Sequence, residues 1–274
     1  MIDWITGEKF IGIADMVYYP EGVKDCTPME NTFCICAVKE KNIVYTHTLY
    51  VKQLFKLIEK INCQFIIITH NCDENVDERF LPVPNNVKCW FTTNVAISHP
   101  RIHSIPIGLE NDRWFKKINK KEKMFDKLQY HAKGKFKNTA YLNVNVQTNP
   151  KEREPLYTLF ADKKWVTKRM CVNGNDFEGY IDDVYRHRFV FCPDGHGIDT
   201  HRLWETLYMR SIPICKKGVN ISFYSAELPM VVVNDWDEIE EVKLLNAYCN
   251  LHYTSWNHQM LTFEYWKNKI LSYV

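Results

Sequence analysis

The chain has no apolar run long enough to cross a bilayer, since no window approaches the roughly 18 to 20 consecutive apolar residues that a spanning helix requires. Its first residues, MIDWITGEKF, lack the basic stretch followed by an apolar one that marks a secretory leader. A chain without leader or anchor is therefore expected. Charge of one sign is scarce as well: 35 Lys and Arg stand against 33 Asp and Glu, a net +2. That balance supplies no strong field for nucleic acid or an anionic membrane. None of the ten cysteines forms a C-x-x-C pair, and Cys34 and Cys36 on a strand would face opposite ways, which is poor zinc geometry. Most of the ten fall within apolar runs such as FCICAV, VKCWF, VFCP and IPICK, the pattern of buried free thiols in a reducing compartment, here the cytoplasm. There is no G-x-S-x-G elbow for a serine hydrolase. The pair Gly195 and Gly197 lacks the third glycine of a dinucleotide fingerprint, so a nicotinamide enzyme is not expected. Repeats and low-complexity segments are also missing.

What is present is core material. Hydrophobic residues make up 46% of the chain and aromatics 14%, enough for packed interiors. At 274 residues the chain exceeds the usual domain size of about 100 to 150, and two compact domains fit it best. Strand-like and helix-like segments alternate. In the first half, TFCICAV, the helical LYVKQLFKLIEKI, CQFIIIT, VKCWFTT and IHSIPIG read as a βαβ series. In the second half TAYLNVN, WVTKR, FVFCP, IPICK and LPMVVVN read as strands, with helices at KEREPLYTLFADK, NDFEGYIDDVYRHR and THRLWETLYMR between the first four. Short apolar strands separated by helices indicate parallel sheets covered on both faces. The Lys-rich stretch from Lys116 to Lys137 falls between two patterned regions and reads as a solvated linker rather than a nucleic-acid patch. The expected domains are 1–118 and 119–255, with 256–274 a helix able to pack back on the first.

The stretch FVFCPDGHGIDTHRLWETLYMRSIPI, 189 to 214, carries more polar groups than a strand-to-helix connection needs. Gly195 and Gly197 suit a sharp turn, Asp199 or Thr200 suits the helix cap, and Arg202 lies in the first helical turn. A helix N-terminus beside a guanidinium attracts a diphosphate. His201 and Glu205 share a face one turn apart, near the spacing of a nucleotide's phosphate and ribose. On spacing alone two readings stay open: a grip on a nucleotide, or surface charges with an ordinary i,i+4 pair.

GHGIDTHRLWETLYMRSIPI resembles the C-terminal signature of exostosin-like glycosyltransferases of family 47 type, G-x-G-x-D-x-x-R-x-x-E followed by a helix and a strand like C-I-P-V. FIIITHNCD, WFTTNVAISHPRIHSIPIGLEN, YLNVNVQTNPKERE and LPMVVVNDWDEI agree, so the likeness runs from about residue 63 to 240. The small size without an anchor is similar to the soluble forms encoded by chloroviruses, which implies the host cytoplasm. The resemblance implies a GT-B fold, α/β, with two Rossmann-like domains and a cleft between them. It also implies an inverting hexosyl- or pentosyltransferase that uses no metal or other cofactor. Glu205 would bind the ribose and Arg202 the diphosphate, with the loop from Gly195 through Gly197 and Asp199 to Thr200 on the phosphates and sugar, and His201 and Arg153 adding grip. Its partners would be a UDP-sugar, with UDP-xylose taken from the family's range, and an oligosaccharide or glycoprotein glycan acceptor.

Leaving-group charge must then meet arginines, and the acceptor's proton must go to a base. His70 and Asp73, at the end of CQFIIIT, are the choices, with a satisfied loop histidine and a turn cap as the bland alternatives. Asp235-Trp236-Asp237 matches the D-x-D metal motif of GT-A transferases but comes late in the chain. Asp235 and Trp236 otherwise lie near the nucleotide or cap the next helix. The alternatives are a metal-dependent GT-A enzyme using Asp235 and Asp237, or an inactive glycan- or nucleotide-binding module.

Overall fold

A computed structural model describes residues 3–21, 30–111, 124, 136–170 and 176–274. The expected boundary at 118 lies outside the described residues, as does most of the Lys-rich stretch. The protein is α/β and contains two five-stranded sheets in which every pairing is parallel. It divides into two compact units: Met1–Leu109 with Gly197–Asp199 and Thr262–Val274, and Glu110–His196 with Thr200–Leu261.

The first unit's sheet runs β1 (Met16–Val17), β2 (Ile43–Thr46), β3 (Phe65–Thr69), β4 (Val87–Thr92), β5 (Ile102–Ser104), side by side in chain order. All five residues of FIIIT in β3 are buried, as a central parallel strand requires. The short helix α1 (Gly7–Ile11) precedes β1. Helix α2 (Val51–Ile58) buries Val51, Leu54, Phe55 and Ile58, spaced i, i+3, i+4, i+7, each contributing about 1.5 to 3 kcal/mol by leaving water. On β4 the adjacent Trp90 and Phe91 face opposite ways. Trp90 meets Phe55 of α2 and Phe80 of the β3–β4 connection, whereas Phe91 meets Tyr273 and stacks on His103.

One expected strand fails. TFCICAV forms a short 3-10 turn at Ile35–Ala37 with Cys34 and Cys36 exposed, and the strand beside β3 is Ile43–Thr46. Both stretches are short and apolar. What separates them is pairing: Ile43 through Thr46 register against Ile66 through Thr69, and all four are buried. The thiols are accordingly mixed, with Cys89, Cys192 and Cys215 buried and Cys249 exposed like Cys34 and Cys36.

In the second unit the order is β10 (Val231–Val233), β9 (Ile212–Lys216), β8 (His187–Phe191), β6 (Asn138–Leu142), β7 (Val166–Lys168). The chain steps from β6 outward to β7, then returns past β6 to lay β8 on its other side. That reversal makes the gap between β6 and β8 a topological switch point, with flanking connections on opposite faces. On one face Ala140, Leu142, Phe189 and Phe191 pack with Leu156 and Phe160 from helix α3 (Pro150–Leu159) and its C-terminal turn. Tyr141 points to the other face and meets Tyr180 of helix α4 (Phe177–Tyr185). Asn149, whose side chain accepts from the Glu152 N–H, and Pro150 start α3, and Asp176 caps α4 at Gly179.

His187 is buried under Tyr141, its Nδ1 2.6 Å from the Asp183 carbonyl and its Nε2 2.8 Å from the Thr167 hydroxyl. Burial, with smaller contributions from Lys137 and Arg169, holds its pKa below the ordinary value despite the opposing pull of Asp183. The unfolded chain therefore takes up the proton first, and stability that is complete above about pH 6.5 declines as pH falls below it. Urea midpoints of the wild type and His187→Gln should converge as pH falls from 7.5 to 5.5. A gap constant with pH would show that this histidine does not titrate on unfolding.

Candidate functional site

Open parallel sheets bind ligands beyond the carboxyl ends of their strands, at the switch point. In the second unit that crevice is flanked by Asn143 to Asn145 after β6 and by Cys192 to Gly195 after β8. Arg153 of α3 ties the two flanks together: it donates from Nε to the Asp194 carbonyl at 2.7 Å and from Nη1 to the Asn145 carbonyl at 2.9 Å and to the Thr148 hydroxyl. Arg153 is buried, so these carbonyls replace its lost hydration. Its charge remains beside the site, but most of its donors are committed, and it shapes the crevice more than it offers a hand to a leaving group. A Cβ at Gly195 would stand 2.9 Å from Arg153 Nη2 and would push the tip of that guanidinium aside.

Arg202 contrasts with it. It lies in the first turn of helix α5 (His201–Tyr208), whose N-cap is the Thr200 backbone without a side-chain cap bond. The Arg202 guanidinium stacks 4.9 Å from the centroid of the Tyr180 ring, and its Nη1 is out of solvent with no hydrogen-bond partner. Burial works against its charge, and Tyr180, Cys192, Glu205 and Tyr141 act in the opposite direction, leaving its pKa raised. Glu205 is buried and accepts from the Tyr180 hydroxyl at 2.7 Å. At the end of β6, Asn143 donates to the Tyr141 hydroxyl at 2.7 Å, and its Oδ1 is buried without a partner. An orphan donor on a cation and an orphan acceptor thus occur at one switch point. Leaving a buried polar group unpaired costs about 1 to 3 kcal/mol, and more for a charge, so a ligand that supplies the partners recovers that cost on binding.

The remaining sequence-predicted residues fall into different settings. Gly197 and Asp199 belong to the first unit. The Asp199 N–H donates to Asn94 Oδ1 at 2.8 Å, its Oδ2 accepts from the Ile107 N–H at 2.8 Å, and a Cβ on Gly197 would meet Asn94 Oδ1 at 2.6 Å. Asp199 is therefore not the cap of α5. His201 turns its Nε2 to within 3.6 Å of Glu110. Trp236 is a core residue whose Nε1 donates to Glu152 at 2.9 Å. Asp235 accepts from the Trp236 N–H in a capping box with Glu238 and pairs with Lys216 at 3.2 Å; that N–H and that cation lower its pKa. No group of three metal-ligating side chains occurs among the described residues.

His70 is buried, stacked on Phe10, with its Nδ1 accepting from the Asn71 N–H at 2.7 Å and its Nε2 3.0 Å from the Pro106 carbonyl. Both nitrogens are engaged, which leaves it no lone pair for a substrate hydroxyl. Asp73 is exposed, four residues past the β3 terminus. Tyr180, Asn143 and Tyr141 were not singled out by the sequence. Nothing local marks Tyr180, which shares its helix with Glu178, Asp182, Asp183 and a second tyrosine, Tyr185.

No protein family's sequence profile matches the chain, and no curated protein matches it. Among solved structures it is similar to the N-terminal domain of trehalose-6-phosphate phosphatase from Candida albicans, with 13% identity and a TM-score of 0.43 over 87% of this chain and 73% of that one. It is similar to UDP-GlcNAc 2-epimerase from Methanocaldococcus jannaschii, with 11% identity and a TM-score of 0.39 over 84% and 76%. A GtfA/B complex gives 8% identity and a TM-score of 0.36 over 86% of this chain and 55% of that one. Likenesses this loose do not bear on what the chain does. No helix among the described residues is long and apolar enough to cross a membrane.

Proposed function

We propose that this protein is an inverting glycosyltransferase of the GT-B kind that takes a UDP-sugar, UDP-xylose first, and transfers the sugar to a hydroxyl of a glycan. The observation that carries the reading is the buried, unpartnered Nη1 of Arg202, one helical turn from Glu205 at a switch point. A nucleoside diphosphate has the matching chemistry: phosphoryl oxygens for the guanidinium, ribose hydroxyls for the carboxylate. In the reaction the acceptor oxygen attacks the anomeric carbon, the bond from that carbon to the β-phosphate oxygen breaks, and the leaving diphosphate takes the electron pair. Arg202, with the charge of Arg153 behind it, stabilises that developing charge without a metal. The acceptor proton passes to a base. Asp73 is the choice, since His70 has both ring nitrogens occupied.

Calorimetric titration of UDP, GDP and a panel of UDP-sugars in EDTA tests the reading. UDP should bind without metal and more tightly than GDP, and the sugars should rank the donor. Binding restored only by manganese would move the donor to Asp235 and Asp237. No UDP binding in either condition would sink the assignment. Hydrolysis of the bound donor separates an enzyme from an inactive nucleotide-binding module.

A further inference from the structure

Arg202 and Glu205 stand three apart on α5, a spacing at which opposite charges meet along a helix surface. Here they do not pair: among the described residues there is no Arg202–Glu205 ion pair, and Arg202 Nη1 is without a partner. Tyr180, from α4, lies against both. Its ring face carries the guanidinium and its hydroxyl holds Glu205 Oε2 at 2.7 Å. We propose that Tyr180 is a positioning residue that keeps this cation and this carboxylate from neutralising each other, so that one remains open to a diphosphate and the other to ribose hydroxyls. The inference rests on the nucleotide reading of the site given above. Burial pushes the Tyr180 phenol well above its ordinary pKa, so it remains a hydrogen-bond donor throughout the working range.

The two functions of the side chain separate by substitution. Tyr180→Phe keeps the ring under Arg202 and removes only the hydroxyl that holds Glu205. Tyr180→Leu removes both, and allows Arg202 and Glu205 to close on each other. The probes are UDP and 2′,3′-dideoxy-UDP, titrated calorimetrically into wild type and both variants, with circular dichroism confirming that each is folded. Wild type should prefer UDP over the dideoxy compound by about 10-fold or more, the size of hydrogen bonds to a charged group. Tyr180→Phe should bind the dideoxy compound almost as wild type does and lose most of that preference. Tyr180→Leu should weaken both ligands together. A merely structural tyrosine would weaken both ligands by one factor in Tyr180→Phe and leave the preference intact, which overturns the proposal. Wild-type binding of UDP without preference for the ribose hydroxyls also overturns it while the donor reading stands. Failure of wild type to bind UDP removes both.

Discussion

Replacing Arg202 with Met should cost affinity for UDP by about a hundredfold or more, while the unliganded protein melts at the same temperature or higher. The two halves of that result come from one fact. A guanidinium whose Nη1 is out of solvent and unpartnered lowers the stability of the empty protein, and an apolar side chain of similar length fills the same place on the Tyr180 ring without that cost. Losing one partner of a buried charge contact costs about 2 to 5 kcal/mol in binding, which sets the size of the affinity loss. Calorimetry with UDP and thermal melts of both proteins provide the check. Lower thermal stability with unchanged affinity would make Arg202 a structural residue and end its role in the site.

The largest effect on stability should come from Asp183→Ala. Asp183 is 1% exposed and pairs with Lys137 Nζ at 2.6 Å and Arg169 Nε at 2.8 Å. The Arg169 contact is an ion pair without hydrogen-bond alignment. Breaking a fully buried pair from one side costs about 3 to 5 kcal/mol. Lys137 and Arg169 are 37% and 50% exposed and can rehydrate once the carboxylate is gone, which brings the expected loss to about 2 to 3 kcal/mol. Urea unfolding of the variant should show it with an unchanged m-value. A loss below about 0.5 kcal/mol would class the cluster with ordinary surface ion pairs.

Much of the fold was legible because parallel strands buried on both faces are continuous apolar runs: FIIIT and FVF announce themselves without reference to anything distant. TFCICAV against NIVYT shows the limit. The two have similar local composition, and the choice is made by which one pairs with β3, a contact the chain makes only when folded. The site divides along the same line. The G-x-G-x-D-T-H-R-L-W-E stretch announces a turn and a helix start, which places Arg202 and Glu205 on one helix. What distributes the roles comes from elsewhere in the chain. Arg153 is spent on carbonyls of the flanking loops, Asn94 takes the Asp199 N–H, and Glu152 takes the Trp236 indole. None of these pairings has a spacing signature. The strand order that creates the switch point is equally silent in sequence, since β8 reads the same whether laid beside β7 or beside β6.

The first sheet's uninterrupted order carries a consequence for the order of events during synthesis. When every step between neighbouring strands goes the same way, right-handed connections all fall on one face, here the Trp90 face covered by Phe55 and Phe80. Phe91 and His103, on the other face, are covered by Tyr273, and Phe10 meets Phe263, residues of the last stretch of the chain. At about 5 to 20 residues per second a ribosome takes roughly ten to thirty seconds to travel from Leu109 to there. For that interval Phe91, His103 and Phe10 lack these ring partners, and the chain of the second unit is made before they arrive. Nascent chains stalled short of Thr262 should therefore be the ones that chaperones hold.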